Sequence, residues 1–328
     1  MNEFELIQAY FSTLASKGAG RGVELGIGDD CAILNPPADS QLVVSTDTLI
    51  AGVHFPENTS AFDIGFKSLA VNLSDLAAMG AKPLWFTLCI TLPDKNTQWV
   101  EGFCNGMAEL IQQTGIHLVG GDTTKGPLSI SIHVTGAVPK GKALRRHGAS
   151  VGDDVYVSGV VGHGAAGLKM ALSRLVTFGD KCLDERQLVA LQRFNRPQPR
   201  IALGAALRGI ATSCIDVSDG LFADLQHVLS ASGVGACLAL ASIPVSEAVV
   251  ASVLFADRSE REKRLLACNA GDDYELCFTA PESKRESIEV LAAEQALKLS
   301  RVGKIVEGVS IVEEGSGVEL VSLGYQHF

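Results

Sequence analysis

The chain has 328 residues, 47% of them hydrophobic, and a formal charge of −10. A single hydrophobic core stops growing near ~250–300 residues, so two packed domains are expected. The acidic balance excludes a general nucleic-acid binder, and the hydrophobic share together with 34 glycines excludes a disordered chain.

In chain order, residues 3–16 read as an amphipathic helix with Phe4, Ile7, Tyr10, Phe11 and Leu14 on one stripe. The opening Met1-Asn2-Glu3-Phe4-Glu5 carries acids where a secretory leader is basic and then apolar. No apolar run approaches ~18 residues, so no membrane-spanning helix is expected. A glycine turn, Gly26-Ile27-Gly28-Asp29-Asp30, precedes an apolar strand, Leu42–Val44, which ends in Ser45-Thr46-Asp47. His54 follows as a lone histidine. A helix is expected over 63–79, with Asp63 as its cap and Gly80 as its stop. Next come a strand Trp85–Leu92 closed by Pro93, a helix through Trp99, Phe103, Met107 and Leu110 to Gly115, and a strand Ile116–Val119. Gly120-Gly121-Asp122-Thr123-Thr124 reads as a turn after that strand, and Ile130, Ile132 and Val134 alternate as a further strand.

The charged, glycine-bearing stretch 141–152 marks the boundary between a first domain, 1–150, and a second, 151–328. In the second, strands are expected at Val155–Val161, Cys214–Val217 and Ala236–Leu240, and helices at Leu221–Ser230 and Lys284–Leu297. No internal repeat is visible. The alternation of strands and helices reads as an α/β or α+β enzyme. The eight cysteines stand apart without a C-x-x-C pair, which predicts reduced thiols in a cytoplasmic protein.

The chemistry concentrates in small carboxylates at strand ends: Asp29-Asp30, Ser45-Thr46-Asp47, Asp122, and Asp216-Val217-Ser218-Asp219-Gly220. Asn72 and Asp75, with Ser68 one turn earlier, share a face of the 63–79 helix. Each alone is also ordinary turn or cap chemistry. Together, without Cys or His clusters, they suit a hard cation, Mg²⁺ above all, which commonly accompanies phosphate chemistry. A cation also reconciles the negative chain with a phosphorylated substrate. Arg145 and Arg146 can offer a guanidinium to phosphate, or simply sit solvated in a loop.

Two motifs mislead. Gly162-His163-Gly164-Ala165-Ala166-Gly167 matches the dinucleotide fingerprint, but no second strand ends in an acid ~20 residues later. Gly136 to Ala143 falls one residue short of a P-loop and lacks the hydroxyl that would hold Mg²⁺.

Taken in order, the segments Glu24-Leu-Gly-Ile-Gly-Asp-Asp30, Ser45-Thr-Asp-Thr-Leu49, Gly52-Val-His-Phe55, Ala70 to Gly80, Gly120-Gly-Asp-Thr-Thr124, Ile215 to Gly220, Gly271-Asp-Asp-Tyr-Glu-Leu276 and Gly324-Tyr-Gln-His-Phe328 resemble the thiamine-monophosphate kinase family. That family lies within the aminoimidazole-ribonucleotide-synthetase-like superfamily. The resemblance implies an N-terminal α/β domain with a mixed sheet and a C-terminal α+β domain. It further implies a homodimer built through the N-terminal sheets. The implied reaction takes ATP and thiamine phosphate to ADP and thiamine diphosphate. By position, Asp30, Ser45, Thr46, Asp47, Asp75, Asp122, Asp216 and Asp219 resemble the family's Mg²⁺ shell. Gly121, Asp122, Arg146 and Ser218 resemble ATP contacts, with Asp47, Asp122 and Arg146 carrying catalysis. His54, Asp272 and Tyr325 resemble thiamine-phosphate contacts, although the family more often has Glu where Asp272 stands. Lys17 to Gly22 lacks the reactive residue of a selenophosphate synthetase, and the C-terminus lacks the Cys tail of the hydrogenase-maturation relative. A non-catalytic nucleotide-binding or scaffold protein is the other class of reading, and the complete acidic set speaks against it.

Overall fold

The computed structural model describes residues 3–16, 22–173, 183–251, 255–322 and 324. The chain divides into two compact units, Met1–Leu76 with Ala81–Gly141, and Ala77–Gly80 with Lys142–Phe328.

The first unit is built on a four-stranded sheet of order β3-β6-β4-β5, with β3 at Ser40–Ile50, β4 at Lys82–Leu92, β5 at His117–Lys125 and β6 at Ser129–Pro139. Only β4 and β5 run parallel, so the sheet is mixed. Ile130, Ile132 and Val134 of β6 are buried, as their alternation predicts. Strand β3 is longer than expected, because β6 pairs with it along its whole length; Ser45–Asp47 therefore lie in mid-strand rather than at its end. Likewise the expected turn at Gly120–Thr124 is strand, since β4 carries the ladder on to Lys125. A β-bulge leaves Val119 unpaired between Leu118, opposite Phe86, and Gly120, opposite Thr87.

The helix Ala61–Ala78 is capped by Ser60, not by Asp63: the Ser60 hydroxyl accepts from Asp63 N at 3.1 Å and donates to its carboxylate at 2.7 Å. Gly80 follows its end in the left-handed region. The helix Thr97–Thr114 stops at Gly115, as read from sequence. At the N-terminus the helical stretch contains a π turn, Ile7–Phe11, between Glu3–Leu6 and Ser12–Ser16. The wider turn rotates the apolar stripe, so that Leu6, Phe11 and Leu14 are buried while Ile7 and Tyr10 are only half-buried. Phe4's side chain lies outside the described residues. Two short strands, β1 at Val23–Leu25 and β2 at Ile33–Leu34, pair around the loop that carries Asp29 and Asp30.

The second unit holds a six-stranded sheet of order β12-β9-β11-β7-β10-β8. Its strands are β7 Asp154–Ser158, β8 Ser213–Asp216, β9 Gly235–Leu238, β10 Leu276–Ala280, β11 Leu299–Val306 and β12 Ile311–Glu313, antiparallel except for β12 on β9. Strands β7, β8 and β10 are buried throughout, because helices cover both faces. Val155, Val157 and Ile215 pack with Leu221, Leu225 and Val228 of the helix Leu221–Ser232. On the other side Tyr156, Cys214 and Phe278 pack with Leu203 and Leu207 of the helix Ile201–Leu207. The Tyr156 and Phe278 rings stack at 5.1 Å.

Candidate functional site

In the first unit, strand alternation sends Ser45 and Asp47 to one face of β3 and Thr46 to the other. Ser45 Oγ donates to Asp75 Oδ2 at 2.5 Å, and Asp47 N donates to Asn72 Oδ1 at 3.1 Å. The short polar residues of the helix Ala61–Ala78 share a face, as their spacing suggested, and the structure turns that face to β3. Asn72 is fully buried and its amide donates to Ser68 O at 3.0 Å, which fixes its orientation. Burial first, and then the neighbouring Asp75 carboxylate, push Asp47 up to about 7. Thr46 is not brought to this group: its hydroxyl shares a 2.8 Å hydrogen bond with His133 Nδ1 on the exposed face.

Asp30 and Asp122 are brought together differently, lining one cavity of about 510 Å³ with Gly28, Gly120 and Gly121. A Cβ at Gly121 would meet Leu88 O at 1.9 Å, so only glycine allows β5 to pass this close to β4 before Asp122. His54 is tied to the end of β3, accepting from Ile50 N at 3.0 Å through Nδ1. In the neutral ring that acceptor role leaves the proton on Nε2.

No three His, Cys, Asp or Glu side chains among the described residues close on one point as a preformed metal site would. The donors nonetheless suit a hard cation. Asp47, Asp75 and Ser45 offer only oxygens, and two carboxylates lie side by side at a half-buried position. A divalent ion would offset that repulsion.

In the second unit, β8 ends at Asp216, which is buried and opposite Leu276. The turn Ser218–Gly220 that follows is held by Asp224, a residue sequence reasoning passed over. Asp224 Oδ2 accepts from Ser218 N at 3.0 Å, Asp219 N at 3.0 Å and Gly220 N at 3.2 Å. Burial pushes this carboxyl up to about 7 against the pull of those three donors. Its only sequence signal is an acid in the first turn of a helix that opens after Asp-Gly.

The segment Gly271–Glu275 is laced to that turn: Asp272 N donates to Ser218 O at 2.9 Å and Tyr274 N to Val217 O at 2.8 Å. Asp272 and Tyr274 both have positive φ, and the Tyr274 hydroxyl donates to Asp272 Oδ1 at 3.0 Å. So the structure brings Asp216, Ser218, Asp219 and Asp272 into one neighbourhood. Arg146 is exposed, with no hydrogen-bond or ion-pair partner among the described residues; its neighbour Arg145 accepts from Cys214 N at 2.8 Å through its carbonyl. Tyr325 lies outside the described residues.

The glycine-rich stretch 162–167 opens the helix His163–Ala171. The buried carboxylate of Asp273 takes its N-terminal donors, Gly162 N at 2.7 Å and Gly164 N at 2.9 Å. A Cβ at Gly164 would meet Gly271 O at 2.0 Å. These glycines admit the chain's own loop, which is why the dinucleotide reading fails.

Residues 28–138 match the AIR synthase related protein N-terminal domain, and residues 150–314 its C-terminal domain. The thiamine-monophosphate kinase of Escherichia coli (strain K12) is 44% identical over 99% of this chain and 98% of its own. The crystal structure of thiamine-monophosphate kinase from Stenotrophomonas maltophilia K279a superposes with a TM-score of 0.87 at 44% identity, covering 97% of this chain and 98% of that one. AaThiL complexed with AMPPCP and TMP gives a TM-score of 0.77 at 30% identity, covering 99% of this chain and 97% of that one.

Proposed function

We infer the chemistry of this chain from the premise that it belongs to the thiamine-monophosphate kinases of the AIR synthase related family. It phosphorylates thiamine phosphate with ATP, giving ADP and thiamine diphosphate, in thiamine diphosphate biosynthesis. The observation that carries this reading is the end-to-end match to kinases, 44% identical over 99% of the chain.

We propose direct in-line transfer of the γ-phosphoryl group. The acceptor phosphate has a second pKa of ~6, so it is largely dianionic at neutral pH and no general base is required. The barrier is the repulsion of two polyanions, and catalysis rests on positioning and charge neutralisation. Gly121 and Asp122, which line the first unit's cavity with Asp30, are assigned to ATP, as are Arg146 and Ser218. Arg146 is exposed and has no partner among the described residues, so its fork is available to phosphoryl oxygens. Asp30, Ser45, Asp47, Asp75, Asp122, Asp216 and Asp219 are assigned to Mg²⁺; the Thr46 side chain lies on the other face of β3 with His133 and is left out of that set. Bound there, Mg²⁺ supplies positive charge to the phosphate oxygens. His54, through its Nε2–H, and Asp272 are assigned to thiamine phosphate, with Tyr325 by resemblance alone.

We also propose a homodimer. Leu42, Val44 and Ile50 are exposed on the outer face of β3, an edge strand, and a second copy would cover them. Residues 1–150 are proposed as the domain of dimerisation and of most ATP and Mg²⁺ contacts, and residues 151–328 as the second domain, which carries Asp216, Ser218 and Asp219. The described helices include none long and apolar enough to cross a membrane. A cytoplasmic location is proposed from the eight cysteines, which stand apart without a C-x-x-C pair. The test is product formation from ATP and thiamine phosphate, followed by single-turnover quenching. A trapped phosphorylated enzyme would overturn the direct transfer, and absence of thiamine diphosphate would overturn the reading itself.

A further inference from the structure

The second unit holds a cavity of about 530 Å³ to which no role has yet been given. Its lining includes neither Asp216–Asp219 nor Asp272. The polar wall is formed by His163, Arg193, Arg200 and Glu275, and the apolar wall by Ile201 and Leu297. Arg200 is already engaged: Nε donates to Glu275 Oε2 at 2.7 Å, and Nη2 pairs with Glu275 Oε1. Ser158 Oγ adds a third donor to the same carboxylate at 2.5 Å.

Arg193, on the helix Glu185–Asn195, is different. It is half-buried beside Arg200 and His163, and has no hydrogen-bond or ion-pair partner among the described residues. Glu275 attracts Arg193 as well, but its carboxylate is already held by Arg200 and Ser158, so among the described residues two guanidiniums face one carboxylate at this wall of the cavity. Burial of the surplus charge is costly unless something pairs with it.

We propose that this cavity is an oxyanion site, separate from the residues assigned to phosphoryl transfer, that takes a small organic phosphate or carboxylate. The fork of Arg193 receives the head group, since its planar donors match two oxygens at once. Ile201 and Leu297 take the apolar body, and the volume lies within the range of ~300–1,000 Å³ usual for small-molecule sites. His163 supplies an internal reporter. Burial, followed by Arg193 and Arg200, holds its ring down at about 4. An anion on Arg193 would cancel part of that repulsion and raise the ring's titration.

The test uses the full chain saturated with AMPPCP and thiamine phosphate, so that the phosphate subsites of the kinase reaction are filled. Phenyl phosphate, benzoate and inorganic phosphate are then titrated by calorimetry. One further saturable site is expected, with an organic anion bound more tightly than inorganic phosphate. Arg193→Gln should weaken it by about tenfold, the loss of one charge-assisted pair, while kinase turnover is unchanged. Tighter binding of phenyl phosphate assigns a phosphate head and tighter binding of benzoate a carboxylate; either sustains the site. The His163 ring resonances in the wild-type chain should titrate at higher pH when the anion is present, which decides the matter even if the variant fails to fold. Absence of further binding, equal binding by Arg193→Gln, or a His163 titration unmoved by saturating anion overturns the proposal.

Discussion

Replacing Asp47 by Asn should stabilise the metal-free protein while abolishing its activity. Asp47 titrates at about 7 in the folded chain against an ordinary 3.8, through burial and then the adjacent Asp75. Between those two values the folded chain keeps a proton that the unfolded chain has released. Stability therefore falls as pH rises through that window, and the loss is complete above about 7. At 1.36 kcal/mol per pKa unit the cost approaches roughly 4 kcal/mol. The amide has desolvation of its own, so about 2 kcal/mol is the expected gain, or ~4–8 °C in melting temperature. The hydrogen bond from Asp47 N to Asn72 is a backbone contact and survives the change. The assay is thermal unfolding in EDTA and in Mg²⁺, at about pH 5 and about pH 8, beside kinase turnover. In EDTA at the higher pH, Asp47→Asn should melt above wild type; Mg²⁺ should raise the wild-type melting temperature and leave the variant nearly unchanged. A variant that melts below wild type under those conditions, or that retains turnover at limiting Mg²⁺, refutes the pairing of these carboxylates around a cation.

Gly164→Ala places a Cβ 2.0 Å from Gly271 O, so the 271–273 loop must retreat. The expected result is a loss of about 2–4 kcal/mol in urea unfolding and a KM for thiamine phosphate raised more than that for ATP, because Asp272 moves with the loop. Arg146→Ala should lower kcat by about 10³-fold and leave the melting temperature unaltered, since the side chain is exposed; unaltered kcat would remove Arg146 from the transition state. Asp224→Ala strands three backbone donors and should cost about 3 kcal/mol with loss of activity, whereas Asp224→Asn keeps an acceptor and should restore most of both; equal damage by the two would refute the positioning role.

Much of the fold was legible because periodicity reports burial. The helix Ala61–Ala78, the stop at Gly115 and the alternation of Ile130, Ile132 and Val134 follow from local pattern. What failed was local reading of things that partners decide. Glycine, serine and aspartate look like a turn, yet β6 and β4 supply ladders that keep Ser45–Asp47 and Gly120–Thr124 extended. The cap moved from Asp63 to Ser60 because either side chain can satisfy a helix N-terminus and sequence alone does not rank them. In the site, the shared face of Asn72 and Asp75 was readable from a spacing of three, but not that it meets β3. Asp224 was not readable, and neither was Arg200 at the separate cavity, since their roles depend on backbone donors and on a carboxylate 75 residues away.

The bond between Asp273 and the helix His163–Ala171 also limits how this sequence can be cut and recombined. Two segments roughly a hundred residues apart behave as plug and socket: the loop brings the anion, and the glycines bring the donors and the clearance. Neither half makes sense without the other. A chimera that imports 162–167 without 271–273 would acquire an empty, positively polarised helix end, and one that imports only the loop would acquire a buried carboxylate with nowhere to lodge. The smallest heritable module at this place is the discontinuous pair.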